Sequence, residues 1–327
     1  MQYVRLLVAL VLCGPAYAAS DLTGPTGGGG PGFGVVGMVG SASAPPPSYT
    51  GPGDIVSGAT AWYGLRAYTA AIAAAATQKL INIRNTATSE TCDVIVATNG
   101  GFGNVANCSG SSSGDTVAVF CALSGGPCAI TEFYDQSGNG SNATQATAGD
   151  QPALTLSCIN SLPCVVFNGT SDFLATAAAL ALSTTATIST VAERTGSFTS
   201  NMSIMGESTQ SNIAGFSSSA NTVFVCQNCS FVTATAADSV WHALQFVATG
   251  TTGTFINVDG VPGSTGNPGS GSWGAVAMQI GRGNGNLLKG NMTEVGIWSA
   301  NFSSGNNTAV CQNQQAYYGA GNFGAAC

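Results

Sequence analysis

Charge is what this sequence has least of. Only 6% of its 327 residues are charged, with 7 basic residues against 14 acidic ones and a net charge of −7. So few cations leave no basic surface to neutralise a phosphate backbone, which excludes nucleic acid as a partner. Histidine occurs once, as His242. It has no second histidine to share a metal with, and it follows Trp241 in an alternating stretch where strand packing accounts for it. A serine triad built on it is therefore excluded. The one Cys-x-x-Cys, Cys226 to Cys229, lacks the second pair that a tetrahedral zinc site needs. Gly281-Arg282-Gly283-Asn284-Gly285 has the glycines of a phosphate loop, but no lysine follows in the required place. Long apolar runs are also missing: past the first 18 residues nothing approaches the roughly 20 apolar residues of a membrane helix.

What is present begins with a leader. Residues 1–18 carry Arg5, an apolar core from Leu6 to Cys13, and Ala16 and Ala18 in an A-x-A cleavage pattern, the layout of a secretory signal peptide. The expected location is therefore secreted, periplasmic or extracellular. Removing the leader leaves ten cysteines, an even number that in an oxidising compartment reads as five disulfides. Short loops suggest neighbouring partners: Cys92 with Cys108, Cys121 with Cys128, Cys158 with Cys164, Cys226 with Cys229, and Cys311 with Cys327. Residues 19–57 are rich in Gly and Pro and read as a flexible linker, because they cannot bury enough apolar surface to offset their ordering entropy. Residues 58–327 then suit one domain.

That domain reads as all-β. Ala61 to Ala76 is the one helix candidate, from its alanines and the helical spacing of Trp62, Leu65, Tyr68 and Ile72. Beyond Thr91, short β-rich runs alternate with Gly, Asn, Ser and Pro clusters: 93–97, 129–134, 164–167, 187–194, 222–225, 242–249, 253–258, 275–280 and 292–298. Many short strands with regular turn signals predict a sandwich or barrel. Three patterns in order narrow this. Val165–Phe167 leads through a turn to Phe173-Leu174, Trp241–Val247 is followed by Phe255–Val258 and an Asp259-Gly260 turn, and Ile280-Gly281 leads through a polar loop into Met292–Trp298. Together they resemble concanavalin-like and laminin-G-like folds: an antiparallel jelly-roll β-sandwich, here with one short N-terminal helix.

A more specific segment lies upstream. Phe120-Cys121, a short loop, Cys128-Ala129-Ile130-Thr131, then Tyr134-Asp135-Gln136-Ser137-Gly138 and Thr144-Gln145-Ala146 resemble a signature of α-L-arabinofuranosidase B catalytic domains. Leu65-Arg66-Ala67-Tyr68 is similar to the start of those domains, so the likeness extends from about Ser57 to about Ser303. The resemblance implies a retaining glycosidase, which needs a carboxylate nucleophile and a carboxylic acid about 5–5.5 Å apart. It places the nucleophile at Gln227-Asn228 and the acid at Gly283-Asn284, where this chain carries no carboxylate. The family's adjacent cysteine pair is likewise missing before Glu207. Glu207, beside a Gly turn, and Glu294, in a Met-Thr-Glu-Val strand, remain candidate catalytic carboxylates; Asp259 reads as its hairpin turn.

Candidate sugar-binding residues are Asp135, Gln136, Gln227, Asn228, Asn284 and Asn286. Asp135 has a structural reading too, since Asp135 and Ser137 can bond backbone amides while Gly138 and Gly140 take positive φ. No cofactor is required, although Asp135, Asp172 and Asp259 could contribute to a calcium site. The expected partner is a poly- or oligosaccharide. Two functions stand: an arabinofuranosidase-like hydrolase, or a glycan-binding or adhesion module on the same sandwich.

Overall fold

The computed structural model describes residues 49–327 except 181, 197, 198, 229 and 251. The leader and most of the Gly/Pro-rich segment lie outside the described residues. The linker boundary moves, however: Tyr49 donates to the Ala67 carbonyl at 2.5 Å, and Gly51, Pro52 and Gly53 are buried. A short helix, Pro52–Ile55, follows directly. Residues 49–57 thus belong to the folded domain, because an aromatic ring and a capped turn supply the contacts that the Gly/Pro composition lacks.

All nine strand expectations fall on strands, and every ladder between them is antiparallel. One layer runs Phe255–Val258, His242–Ala248, Ala186–Arg194, Lys289–Trp298, and then both Ala61–Gly64 and Cys164–Asn168 along the far edge of Lys289–Trp298. The other runs Ser230–Thr235, Thr222–Gln227, Ile213–Phe216, Met202–Glu207, Ala277–Ile280, Leu174–Ala179, Ala143–Thr144, Cys128–Phe133, Lys79–Asn85, Thr91–Val96 and Phe102–Ala106. The layers join at one corner, where Ala153–Thr155 bridges Cys128–Phe133 and Cys164–Asn168. Between them lies a single large core, with Ile188, Phe246, Val295 and Ile297 from the first layer against Ile204, Val225, Met278 and Ile81 from the second. This is the β-sandwich expected from alternating runs.

The helices differ from expectation. Ala61–Gly64 is a buried strand paired with Glu294–Ile297, and only Ala70–Ala75 is helical, capped by the Thr69 hydroxyl accepting from Ile72 N. Trp62 and Tyr63 favour a pleated, buried position, and alanine propensity decides only where no strand partner competes. The longest helix among the described residues, Ser304–Tyr318, was not expected. It covers the outer face of the first layer, where Trp298, Phe302 and Val310 form a cluster with Trp62 and Tyr68.

Four of the expected disulfides are present: Cys92–Cys108, Cys121–Cys128, Cys158–Cys164 and Cys311–Cys327. The fifth falls on Cys229, outside the described residues.

Candidate functional site

The exposed polar features that the family resemblance singles out converge at one end of the second layer. Strand Met202–Glu207 carries Gly206, where a Cβ would stand 2.9 Å from the Gly283 Cα and 2.9 Å from the Ser203 hydroxyl. That bare backbone lets the hairpin formed by Arg282–Gly283 and Asn286–Leu287 lie flat on the strand. Asn284 and Gly285 turn the hairpin with φ of 44° and 81°, the positive values a two-residue loop requires. In this position Asn284 N donates to the Glu207 carbonyl at 2.8 Å, and its side-chain amide donates to the Ser211 hydroxyl at 3.2 Å.

From the other side, strand Thr222–Gln227 ends at Asn228, also at positive φ, whose N–H donates to Asn212 Oδ1 at 3.1 Å. The turn at Ser211-Asn212 is therefore the meeting point of the two segments. Asn228 and Asn284 are exposed, and Ser211 and Asn286 half-buried, so the rim offers amides and hydroxyls to solvent. Ser211 and Asn212 were not anticipated, although the Asn-Gly pair at 284–285 is a strong hairpin signal that would have brought Asn284 to a loop tip.

Beneath the rim, the polar side chains are committed to the protein. Gln227 is fully buried; its Nε2 donates to the Thr184 and Gly271 carbonyls at 2.7 and 2.8 Å, and its Oε1 accepts from Gly250 N. It ties these loops together. Glu207 is also fully buried: Oε1 accepts from Ala275 N at 2.9 Å and Oε2 from Asn212 Nδ2 at 2.7 Å. Burial raises its pKa, against the lowering effect of those hydrogen bonds and one from Gly274, and no neighbouring carboxylate contributes.

Glu294 lies elsewhere, on the face of the first layer that helix Ser304–Tyr318 covers. Its carboxylate accepts from Arg66 Nε at 2.6 Å, Arg66 Nη2 at 3.0 Å, Gln314 Nε2 at 3.0 Å and the Tyr318 hydroxyl at 2.8 Å. This is a sealed ion pair whose carboxylate oxygens each accept two hydrogen bonds. Asp135 and Gln136 are likewise buried and hydrogen-bonded within the protein. Asp135 accepts from Trp62 N, Ser137 N, the Ser137 hydroxyl and Ser141 N, and Gln136 bonds Tyr68 N and the Gly64 and Arg66 carbonyls. Both pin the turn after Cys128–Phe133 to the strand Ala61–Gly64.

The possible calcium donors do not converge. Asp172 closes its own turn by bonding Asn168, whereas Asp259 ties its turn to the start of the neighbouring strand through His242 Nδ1 at 2.6 Å and Ala243 N at 2.8 Å. Among the described residues the one cluster with metal-ligand spacing is Glu90 with Cys92 and Cys108, and these cysteines are joined as a disulfide.

No family model matches this chain, and no curated protein matches its sequence. Solved structures do share its fold. A glutamate-to-glutamine mutant of a GH54 α-L-arabinofuranosidase, soaked with 4-nitrophenyl α-L-arabinofuranoside, superposes with a TM-score of 0.60 at 17% identity over 81% of this chain and 64% of that one. The GH54 enzyme soaked with a cyclic sulfate inhibitor gives 0.59 at 18% identity, with the same coverage. An arabinofuranosidase complexed with arabinofuranosyl-α-1,2-xylobiose gives 0.55 at 17%, again with the same coverage. The likeness is one of fold, and this chain spans about 64% of the length of those structures.

Proposed function

We propose that this chain is a secreted glycan-binding module for arabinofuranosyl-containing polysaccharide, built on an arabinofuranosidase-like sandwich that keeps a polar rim without a catalytic carboxylate pair. One observation carries this reading. The two segments where the resemblance puts nucleophile and acid both touch Ser211-Asn212, and what they present there is Asn228 and Asn284. An amide can donate to and accept from sugar hydroxyls, yet it can neither form a glycosyl-enzyme intermediate nor deliver a proton at useful acidity. The leader and the Gly/Pro-rich segment support export and display on a tether. No helix of the described residues is long and apolar enough to cross a membrane.

The second reading, an arabinofuranosidase-like hydrolase, rests on Glu207. Its pKa is raised by burial close to the rim, as a general acid requires. An arabinofuranoside with a chromogenic leaving group separates the two. Saturable binding to arabinan without turnover is the expected result. Turnover that Glu207→Gln abolishes would overturn the binding module in favour of the enzyme. Within the binding reading, Asn284→Ala weakens arabinan binding by about tenfold, the loss of about 1.4 kcal/mol from one directed amide.

A further inference from the structure

A second concave surface lies at the far end of the same layer. It is a groove of about 1010 Å³ between the helix Ala70–Ala75, the loop after Thr91–Val96 and the helix Ser304–Tyr318, lined by Tyr49, Thr98, Asn99, Asn313 and Tyr317. A smaller groove of about 370 Å³ continues past Asn99 and Tyr317 towards Leu162. No lining side chain of either groove is charged, which suits a neutral ligand. The volume is at the upper end of what small-molecule sites enclose, enough for several linked sugar rings.

The aromatic walls are held in place before any ligand arrives. The Tyr317 ring lies 4.8 Å from the Arg66 guanidinium, which the Glu294 carboxylate fixes from beneath, and the Tyr49 ring meets Tyr317 edge-on at 6.2 Å. Tyr49 is further tied by its hydroxyl to the Ala67 carbonyl. The loop between them is shaped to admit both rings. A Cβ on Gly100 would stand 2.3 Å from the Tyr49 ring, and one on Gly101 3.1 Å from the Tyr317 hydroxyl. Asn99 spends its Oδ1 on Gly101 N, which orients its amide nitrogen. Two rigid tyrosines with amides and hydroxyls between them, in a neutral, Ala-lined trough, match a saccharide, whose rings have apolar faces and hydroxyl edges.

We propose that this groove is a second glycan-binding site, for a neutral oligosaccharide segment, and that the chain holds one polysaccharide at two points. The second clause rests on the rim being a glycan site; the first does not. Thr222–Gln227 and Thr91–Val96 are eight strand steps apart, so the two sites are roughly 40 Å apart measured along the layer. Two sites on one rigid body convert the second binding event into an intramolecular one, which raises affinity for a long polymer well above that for a short fragment.

The test compares the full chain with two variants that leave the buried contacts intact. Ala316→Trp fills the groove from an exposed helix position, and Asn228→Ala/Asn284→Ala strips the rim. Titration calorimetry with a short arabino-oligosaccharide is expected to give two sites for the natural chain and one for each variant, and each variant binds soluble arabinan at least tenfold more weakly. One site in the natural chain, with Ala316→Trp indistinguishable from it and the rim variant inactive, overturns the groove and leaves the rim. The converse overturns the rim and leaves the groove. No binding by the natural chain to either probe overturns both.

Discussion

At the residue scale, one ion pair of this sparsely charged chain lies wholly inside it. Arg66 and Glu294 are both fully buried, and their bidentate contact is completed by Gln314 and Tyr318. Removing one partner of such a pair strands the other in a medium that cannot solvate it, so Glu294→Ala is expected to cost about 3–5 kcal/mol, read as a lower urea midpoint. Asp93 behaves differently. Burial pushes its pKa up, and hydrogen bonds from Asn82, Lys79, Tyr134 and Asn107 outweigh that, so the net shift is downward. A carboxylate with a lowered folded pKa adds stability above its unfolded value of about 3.9 and loses it as pH falls through the folded pKa. Asp93→Asn should therefore lower stability at pH 7 and flatten its fall below pH 4, checked by thermal melts across pH 2–7. If the acid limb is unchanged, Asp93 is not a contributor to it.

At the element scale, the hairpin carrying Asn284 depends on backbone conformation more than on contacts. Gly285 has φ of 81°, and a Cβ there would find nothing within 4 Å, so a side chain meets strain but no clash. Gly285→Val is expected to destabilise by about 1–2 kcal/mol and to weaken binding at the rim by displacing Asn284. Gly149→Ala, equally open and without positive φ, is the neutral control. The helix Ser304–Tyr318 is held from its middle by Cys311–Cys327, a bridge between residues 16 positions apart. Replacing both cysteines by serine should cost about 3 kcal/mol and expose the Glu294 face to faster amide exchange, measurable in the strand Lys289–Trp298.

At the scale of the whole molecule, one continuous hydrogen-bonded layer places two neutral, polar surfaces at opposite ends. With so little surface charge, amides, hydroxyls and tyrosine edges supply the polar surface, and under the proposed function they also meet an uncharged polymer. Because electrostatic steering has no part in it, arabinan binding should change less than about twofold between roughly 50 and 500 mM NaCl. A steep salt dependence would instead indicate an ionic partner and argue against the glycan reading.

The nine strands were legible in the sequence because each alternates or runs apolar between turn residues, and that pattern survives whichever partners the strands find. The neighbouring cysteine pairs were legible from loop length. The helix Ser304–Tyr318 was not, since Gly305, Asn306, Asn307 and Thr308 are weak helix formers; tertiary contacts hold it, through Val310 in an apolar cluster, the Cys311–Cys327 bridge, and Gln314 and Tyr318 on a carboxylate of another element. Likewise the resemblance at Asp135-Gln136 marked a turn, and only the fold revealed that every acceptor of Asp135 faces backbone or hydroxyl donors. Sequence alone determined the sandwich, because strand patterning is local. Tertiary structure decided that Glu207 and Glu294 lie buried with different partners, that Asn228 and Asn284 meet at Ser211-Asn212, and that Tyr49 and Tyr317 form one groove. Those are contacts between segments far apart in the chain, which local patterning does not encode.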